Sequence, residues 1–163
     1  MKKILLIGAI ACFMACRHRS GVIPNITSLP AFTMLLIDST THLASAAIPS
    51  GAPLIFMYFR PDCRHCQADT RLLIKNMDSL KSTHIYLLTP MPFKELKGFY
   101  DSFDLGRFKN ITVAEDEGYS FYKSFQPAAV PYMAIYDSHK RLVNTYLGDR
   151  QIQMNNIFKA IYQ

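Results

Sequence analysis

Beyond about residue 30 the chain alternates between apolar runs and polar breaks short enough to read as single elements. AFTMLLIDSTTHLASAA, residues 31–47, is an apolar run, a polar DSTT turn and a second, weaker run, the pattern of a β-hairpin. SGAP breaks the chain before LIFMYF (54–59), whose unbroken apolar and aromatic character predicts a strand buried on both faces. After Pro61 the period changes. Cys66, Leu72, Leu73, Met77 and Leu80 fall near helical spacing, with Asp62 placed to cap the first turn. HIYLLTP predicts a second buried strand, and residues 92–108 a helix with Phe93, Phe99, Tyr100 and Phe103 on its apolar side. NITVAED reads as a third strand or extended segment, and 118–125 as a short helix. PYMAIYDSHKRLVNTYLG predicts two strands joined by a DSHK turn that leaves His139 in solvent, and DRQIQMNNIFKAIY a terminal helix. Tyr58 and Phe59 read as core, and the acidic stretch Glu115, Asp116, Glu117 as a solvated loop.

A hairpin, then strand and helix in alternation, then a second hairpin and a last helix is an α/β pattern built on a mixed sheet. Sites in such sheets form at the carboxyl ends of the strands. Cys63 lies just past the end of LIFMYF, at the start of a helix. With 163 residues, half of them apolar, the chain has enough material for one domain and one core.

The segment before residue 30 has a different character. MKKILLIGAIACFMAC carries two lysines, an apolar run of 12 residues from Ile4 to Ala15, and a cysteine preceded by alanine, which are the parts of an export signal. The run is shorter than the ~20 residues that span a bilayer as a helix. A small residue followed by cysteine resembles the bacterial lipoprotein signal, in which that cysteine is lipidated and begins the mature protein. Cys16 is the preferred site because the polar RHRS follows it, with Cys12 as the alternative and an ordinary cleaved signal as the plain reading. The expected division is 1–16 signal, 17–30 tether and 31–163 folded domain, lipid-anchored on the periplasmic side of the cell envelope. Without Lys2 and Lys3 the formal charge falls from +6 to +4. The remaining cations are scattered, which argues against nucleic-acid binding.

Removal of the signal leaves Cys63 and Cys66 in the domain, spaced by Arg64 and His65. The loop they close is too short to add much stability by restricting the unfolded chain. A thiol reacts as its thiolate, and the unpaired N–H groups of a helix's first turn favour that anion. Cys63 is therefore expected to be the exposed nucleophile, with Arg60, Arg64 and His65 adding positive charge, and Cys66 the buried, resolving thiol.

This arrangement resembles the thioredoxin-like superfamily, most closely its exported TlpA- or ResA-like branch, also described as redoxin and related to AhpC/TSA proteins. The likeness extends over residues 31–163. It implies a thioredoxin fold, a central mixed sheet flanked by helices, here with an N-terminal β-hairpin extension. AAVPYMAIYD resembles the family segment with a cis proline facing the cysteines, which would make Val130–Pro131 that bond and a substrate-binding element. YDSHKRLVNTYLGD resembles the last hairpin with its glycine. The branch often carries an acid three residues after the second cysteine, here Asp69. Met57 stands where thioredoxins proper have a buried aspartate, so Asp69, one turn after Cys66, is the candidate for proton transfer. Arg64 and His65 replace the usual Gly-Pro and are candidates for tuning the potential.

The resemblance implies a monomeric thiol-disulfide oxidoreductase exchanging with protein disulfides or dithiols, most simply as a reductase, and reset by a membrane or periplasmic thiol partner. It needs no cofactor other than its own Cys63–Cys66 pair, and no metal. Oxidase or isomerase activity is the near alternative. A zinc or copper carrier would require further ligands, and His18, His42, His84 and His139 are dispersed. A peroxidase would carry threonine where Arg60 stands. A module with inert core cysteines completes the alternatives.

Overall fold

The computed structural model describes residues 27–148 and 152–162. The expected signal (1–16), both lipidation candidates Cys12 and Cys16, and most of the tether lie outside the described residues. The domain's contacts begin earlier than residue 31. Ser28 bridges Arg141, Leu29 N–H donates to Lys140 O at 3.1 Å, and Leu142 N–H donates to Thr27 O at 3.0 Å.

The expected hairpin forms from β1 (Thr33–Leu36) and β2 (His42–Ala44). Asp38 closes its turn by accepting from the backbone N–H groups of Thr40 and Thr41. LIFMY becomes β3 (Leu54–Tyr58), buried throughout, followed by helices α1 (Arg64–Lys75) and α2 (Met77–Leu80) and strand β4 (His84–Thr89). Helix α3 (Phe93–Ser102) is shorter than the expected 92–108. It ends where Asp104 turns left-handed (φ 49°), and a separate 3-10 turn spans Leu105–Arg107. Strand β5 (Ile111–Glu115), helix α4 (Ser120–Phe125), the hairpin of β6 (Tyr132–Tyr136) and β7 (Leu142–Leu147), and helix α5 (Met154–Tyr162) complete the chain. The terminal helix thus begins later than the periodicity predicted.

One seven-stranded sheet runs β2-β1-β5-β4-β3-β6-β7. Strands β3, β4 and β5 are parallel, and β6 runs antiparallel to β3. Successive side chains of a strand point to opposite faces, and β3 supplies both cores in alternation. Ile55, Met57 and Phe59 pack with Cys66 and Leu73 of α1, Leu96 and Phe99 of α3, and Ile157 of α5. Leu54, Phe56 and Tyr58 pack on the other face with Phe32, Met34 and Phe121 and Phe125 of α4. Each fully buried apolar side chain of this size contributes about 1.5–3 kcal/mol, which explains why a strand with no charged residue occupies an inner position.

The register of β3 against β6 positions the site. Tyr58 pairs with Tyr132, so the carboxyl end of β3, which leads to Cys63, meets the amino end of β6, which follows Pro131.

Candidate active site

Cys63 stands at the start of α1 with extended backbone (φ −79°, ψ 117°) and is itself the helix N-cap: its Sγ accepts the N–H of Cys66 at 3.3 Å. The expected cap, Asp62, has a different role. Its carboxylate takes a forked pair of hydrogen bonds from Arg60, at 3.1 and 3.0 Å. That pairing offsets the charge of Arg60, which was expected to add to the cationic surroundings of Cys63. The turn is held by Cys63 N–H donating to Arg60 O at 3.1 Å and by Gln67 Nε2 donating to Pro61 O at 2.8 Å.

The two thiols differ as their positions require. Cys63 is half-buried and Cys66 wholly buried, in the same apolar cluster as Met57 and Ile157. Burial pushes the Cys66 thiol far above the usual range, and the hydrogen bond with Cys63 and the nearby Asp69 charge push it further. Cys66 therefore stays protonated until a base takes its proton.

Asp69 occupies α1 one turn after Cys66 and is only 1% exposed. Its Oδ1 accepts the N–H of Ile152 at 3.4 Å, and its Oδ2 has no partner among the described residues. Burial raises its pKa; the Ile152 N–H and the charge of His65 oppose that rise. A carboxyl group that holds its proton more tightly than usual, beside a thiol that must lose one, suits proton exchange. The side chains of Arg64 and His65 are exposed and make no hydrogen bond among the described residues.

Val130–Pro131 is cis, and the Val130 carbonyl oxygen lies 4.0 Å from Cys63 Sγ. Gly148 packs directly on this proline: a Cβ there would lie 2.2 Å from Pro131 Cδ and 2.5 Å from its N and O. Sequence reasoning placed Gly148 in the last hairpin without finding this role. A lone glycine between a strand and a helix was the only available signal.

Among the described residues no group of three or more His, Cys, Asp or Glu side chains is arranged to hold a metal ion. No helix among them is long and apolar enough to cross a membrane.

With this geometry in view, several solved structures are similar across most of their length. A secreted Mycobacterium tuberculosis disulfide oxidoreductase homologous to E. coli DsbE superimposes with a TM-score of 0.67 at 13% identity, over 80% of this chain and 94% of that one. A thioredoxin-like protein from Porphyromonas gingivalis gives 0.66 at 16% identity, over 80% and 87% of the two chains. The chain has the thioredoxin-like fold. A peroxiredoxin-like protein from Aquifex aeolicus gives a TM-score of 0.65 at 15% identity, over 82% of this chain and 84% of that one. No family model and no curated protein sequence matches the chain.

Proposed function

We infer that the protein is a thiol-disulfide oxidoreductase that reduces protein disulfides outside the cytoplasm. The observation that carries this reading is the asymmetry of the pair: Cys63 half-exposed at a helix start, and Cys66 buried one turn behind with its backbone N–H on Cys63 Sγ at 3.3 Å. Thiolate Cys63 attacks one sulfur of a substrate disulfide, forming a mixed disulfide as the other substrate sulfur leaves as a thiolate. Cys66 then gives up its proton, with Asp69 as acceptor, and attacks Cys63 Sγ. The second substrate sulfur is released and Cys63–Cys66 becomes a disulfide. Two electrons pass to the substrate, and its two sulfurs finish as thiols once protonated. A reduced form stabilised by an easily ionised thiol makes a pair oxidising; the reducing direction is the one implied by the exported thioredoxin-like branch that the chain resembles.

Val130 and Pro131 present the backbone against which a substrate lies as Cys63 reacts, while Arg64 and His65 adjust the potential. Lipid at Cys16 tethers the domain to the envelope, as its signal-like leader suggests, and a membrane or periplasmic thiol partner returns the pair to the dithiol. The domain works as a monomer, and its redox group is the cysteine pair alone. Export is further supported by the similarity to a secreted oxidoreductase.

Replacing Cys66 by Ala removes the resolving thiol and should accumulate a mixed disulfide through Cys63, seen as a mass increase that dithiothreitol reverses. A Cys66→Ala protein that forms no adduct with any disulfide substrate contradicts this function.

A further inference from the structure

The exposed face of α1 carries a row of cations that the spacing along the chain conceals. Arg64, Ala68, Arg71 and Lys75 are four, three and four residues apart. At about 100° per residue they fall within about 60° of one another around the helix, along about 16 Å of its length. Arg64, Arg71 and Lys75 are exposed, while Cys66, Asp69 and Leu73 face the core from the opposite side of the helix. The row begins at the residue that directly follows Cys63.

No carboxylate among the described residues answers these charges. Arg60, Arg107 and Arg141 pair with Asp62, Asp104 and Asp137, and Lys97 with Asp101. Arg64, Arg71 and Lys75 form no ion pair among the described residues. The one acid within α1, Asp69, is turned into the core. Asp78 is exposed but lies in α2, beyond the break in the helix at Asn76. Arg71 is also held in place, its guanidinium 5.3 Å from the centre of the Phe103 ring.

The row borders a trough. Ala68, Arg71, Leu72 and Lys75 line a shallow hollow of about 260 Å³. Leu72 and Lys75 also border a second, of about 410 Å³, that extends to Asn76 and to Asn155 in the first turn of α5. A helix that lies on a membrane carries large apolar side chains beside its cations. The large apolar side chains most exposed among the described residues, Tyr119, Tyr122, Val143, Leu147 and Tyr162, are all off α1. A hollowed, cationic surface without them suits a charged chain better than a lipid plane.

We propose that this face binds an acidic polypeptide: an anionic segment beside the partner's exchanging sulfur lies along Arg64, Arg71 and Lys75 while that sulfur meets Cys63. This rests on the redox reading for where the sulfur lies, but recognition of the acidic segment needs no exchange chemistry. Opposite charges guide encounter and fix orientation more than they add affinity, which suits a partner that must leave after each turnover.

The test uses the full chain and two peptides of equal length, each with one central S-methylated cysteine, flanked on both sides by Glu and Asp in one and by Gln and Asn in the other. In calorimetric titration at low salt the wild type should bind the acidic peptide about tenfold more tightly, a preference that should disappear in about 1 M salt. Bound acidic peptide should also shield Cys63 from iodoacetamide. Arg71→Gln/Lys75→Gln, which leaves Arg64 beside the redox pair intact, should weaken acidic-peptide binding about fivefold and leave the amide peptide unchanged. Lys123→Gln/Lys140→Gln removes the same charge from α4 and the β6–β7 turn and should change neither. Equal losses in the two double variants, equal binding of the two peptides by the wild type, or a Cys63 left open to iodoacetamide overturns the proposal. Sedimentation with phosphatidylglycerol-phosphatidylcholine vesicles that Arg71→Gln/Lys75→Gln abolishes would assign the face to a membrane surface and overturns it as well. Exchange of the wild type with oxidised glutathione, measured alongside, separates the two readings: its absence would remove the redox function and leave the peptide preference standing.

Discussion

Asp69 and Asp116 are both almost wholly buried, yet their surroundings differ. Asp116 accepts four hydrogen bonds, two from the backbone at the start of α4. Asp69 accepts one long bond from Ile152 and keeps an oxygen without a partner among the described residues. A buried carboxylate whose lone pairs are filled fastens elements together; one left half-filled in an apolar site can take up a proton. The first closes a turn on the α4 face of the sheet, and the second stands beside a thiol that burial keeps protonated on the opposite face.

The largest effect should come from breaking the satisfied acid. Asp116→Ala removes a cap and leaves Tyr58 Oη and two backbone N–H groups without their acceptor. It should cost about 3 kcal/mol in urea unfolding. A loss of a few tenths would mean that water replaces the carboxylate, and the contrast with Asp69 would weaken.

Asp69→Asn should instead spare the fold and slow the resolution of a preformed mixed disulfide by about a hundredfold, read in stopped-flow single turnover. Its stability effect has a definite sign. Burial raises the Asp69 pKa, so its favourable contribution is complete below the ordinary aspartate value and is lost as pH rises through the folded value. Asparagine has no such titration. The stability of Asp69→Asn relative to wild type should therefore climb across that window, and a difference independent of pH would show that the carboxyl is not held protonated.

Gly148→Ala forces a methyl group against Pro131 and should cost about 2 kcal/mol. If the Val130–Pro131 backbone receives a polypeptide as proposed, peptide disulfide exchange should slow more than exchange with glutathione. The smallest effect concerns the thiols. At pH 8, iodoacetamide should modify Cys63 in the folded protein and leave Cys66 intact, by mass mapping; equal labelling would remove the asymmetry.

The elements visible in sequence were those whose cause is local. LIFMY is a strand because every residue is apolar and bulky, and its burial on both faces follows. The placement of Cys63 past β3 and the burial of Cys66 on α1 follow from strand position and helical spacing; the burial of Asp69 does not, since the same spacing suits a solvated helix residue. What stayed hidden depends on distant partners. Glu115, Asp116 and Glu117 resemble a solvated loop until Tyr58, 58 residues earlier in the chain, donates to Asp116. Asp62 resembles a cap until Arg60 claims it and Cys63, still extended, takes its place. The late start of α5 leaves Ile152 unwound and its N–H free for Asp69, a contact that periodicity does not encode.

The most direct measurement is the equilibrium of the pair in glutathione buffers of graded ratio, read by thiol trapping and mass. A single two-electron transition between dithiol and Cys63–Cys66 disulfide is expected, absent in Cys63→Ser, with a midpoint toward the reducing end of the thioredoxin-fold range, about −270 mV. A pair that never forms the disulfide at any ratio would contradict the redox function, and a midpoint near −120 mV would contradict its reducing direction.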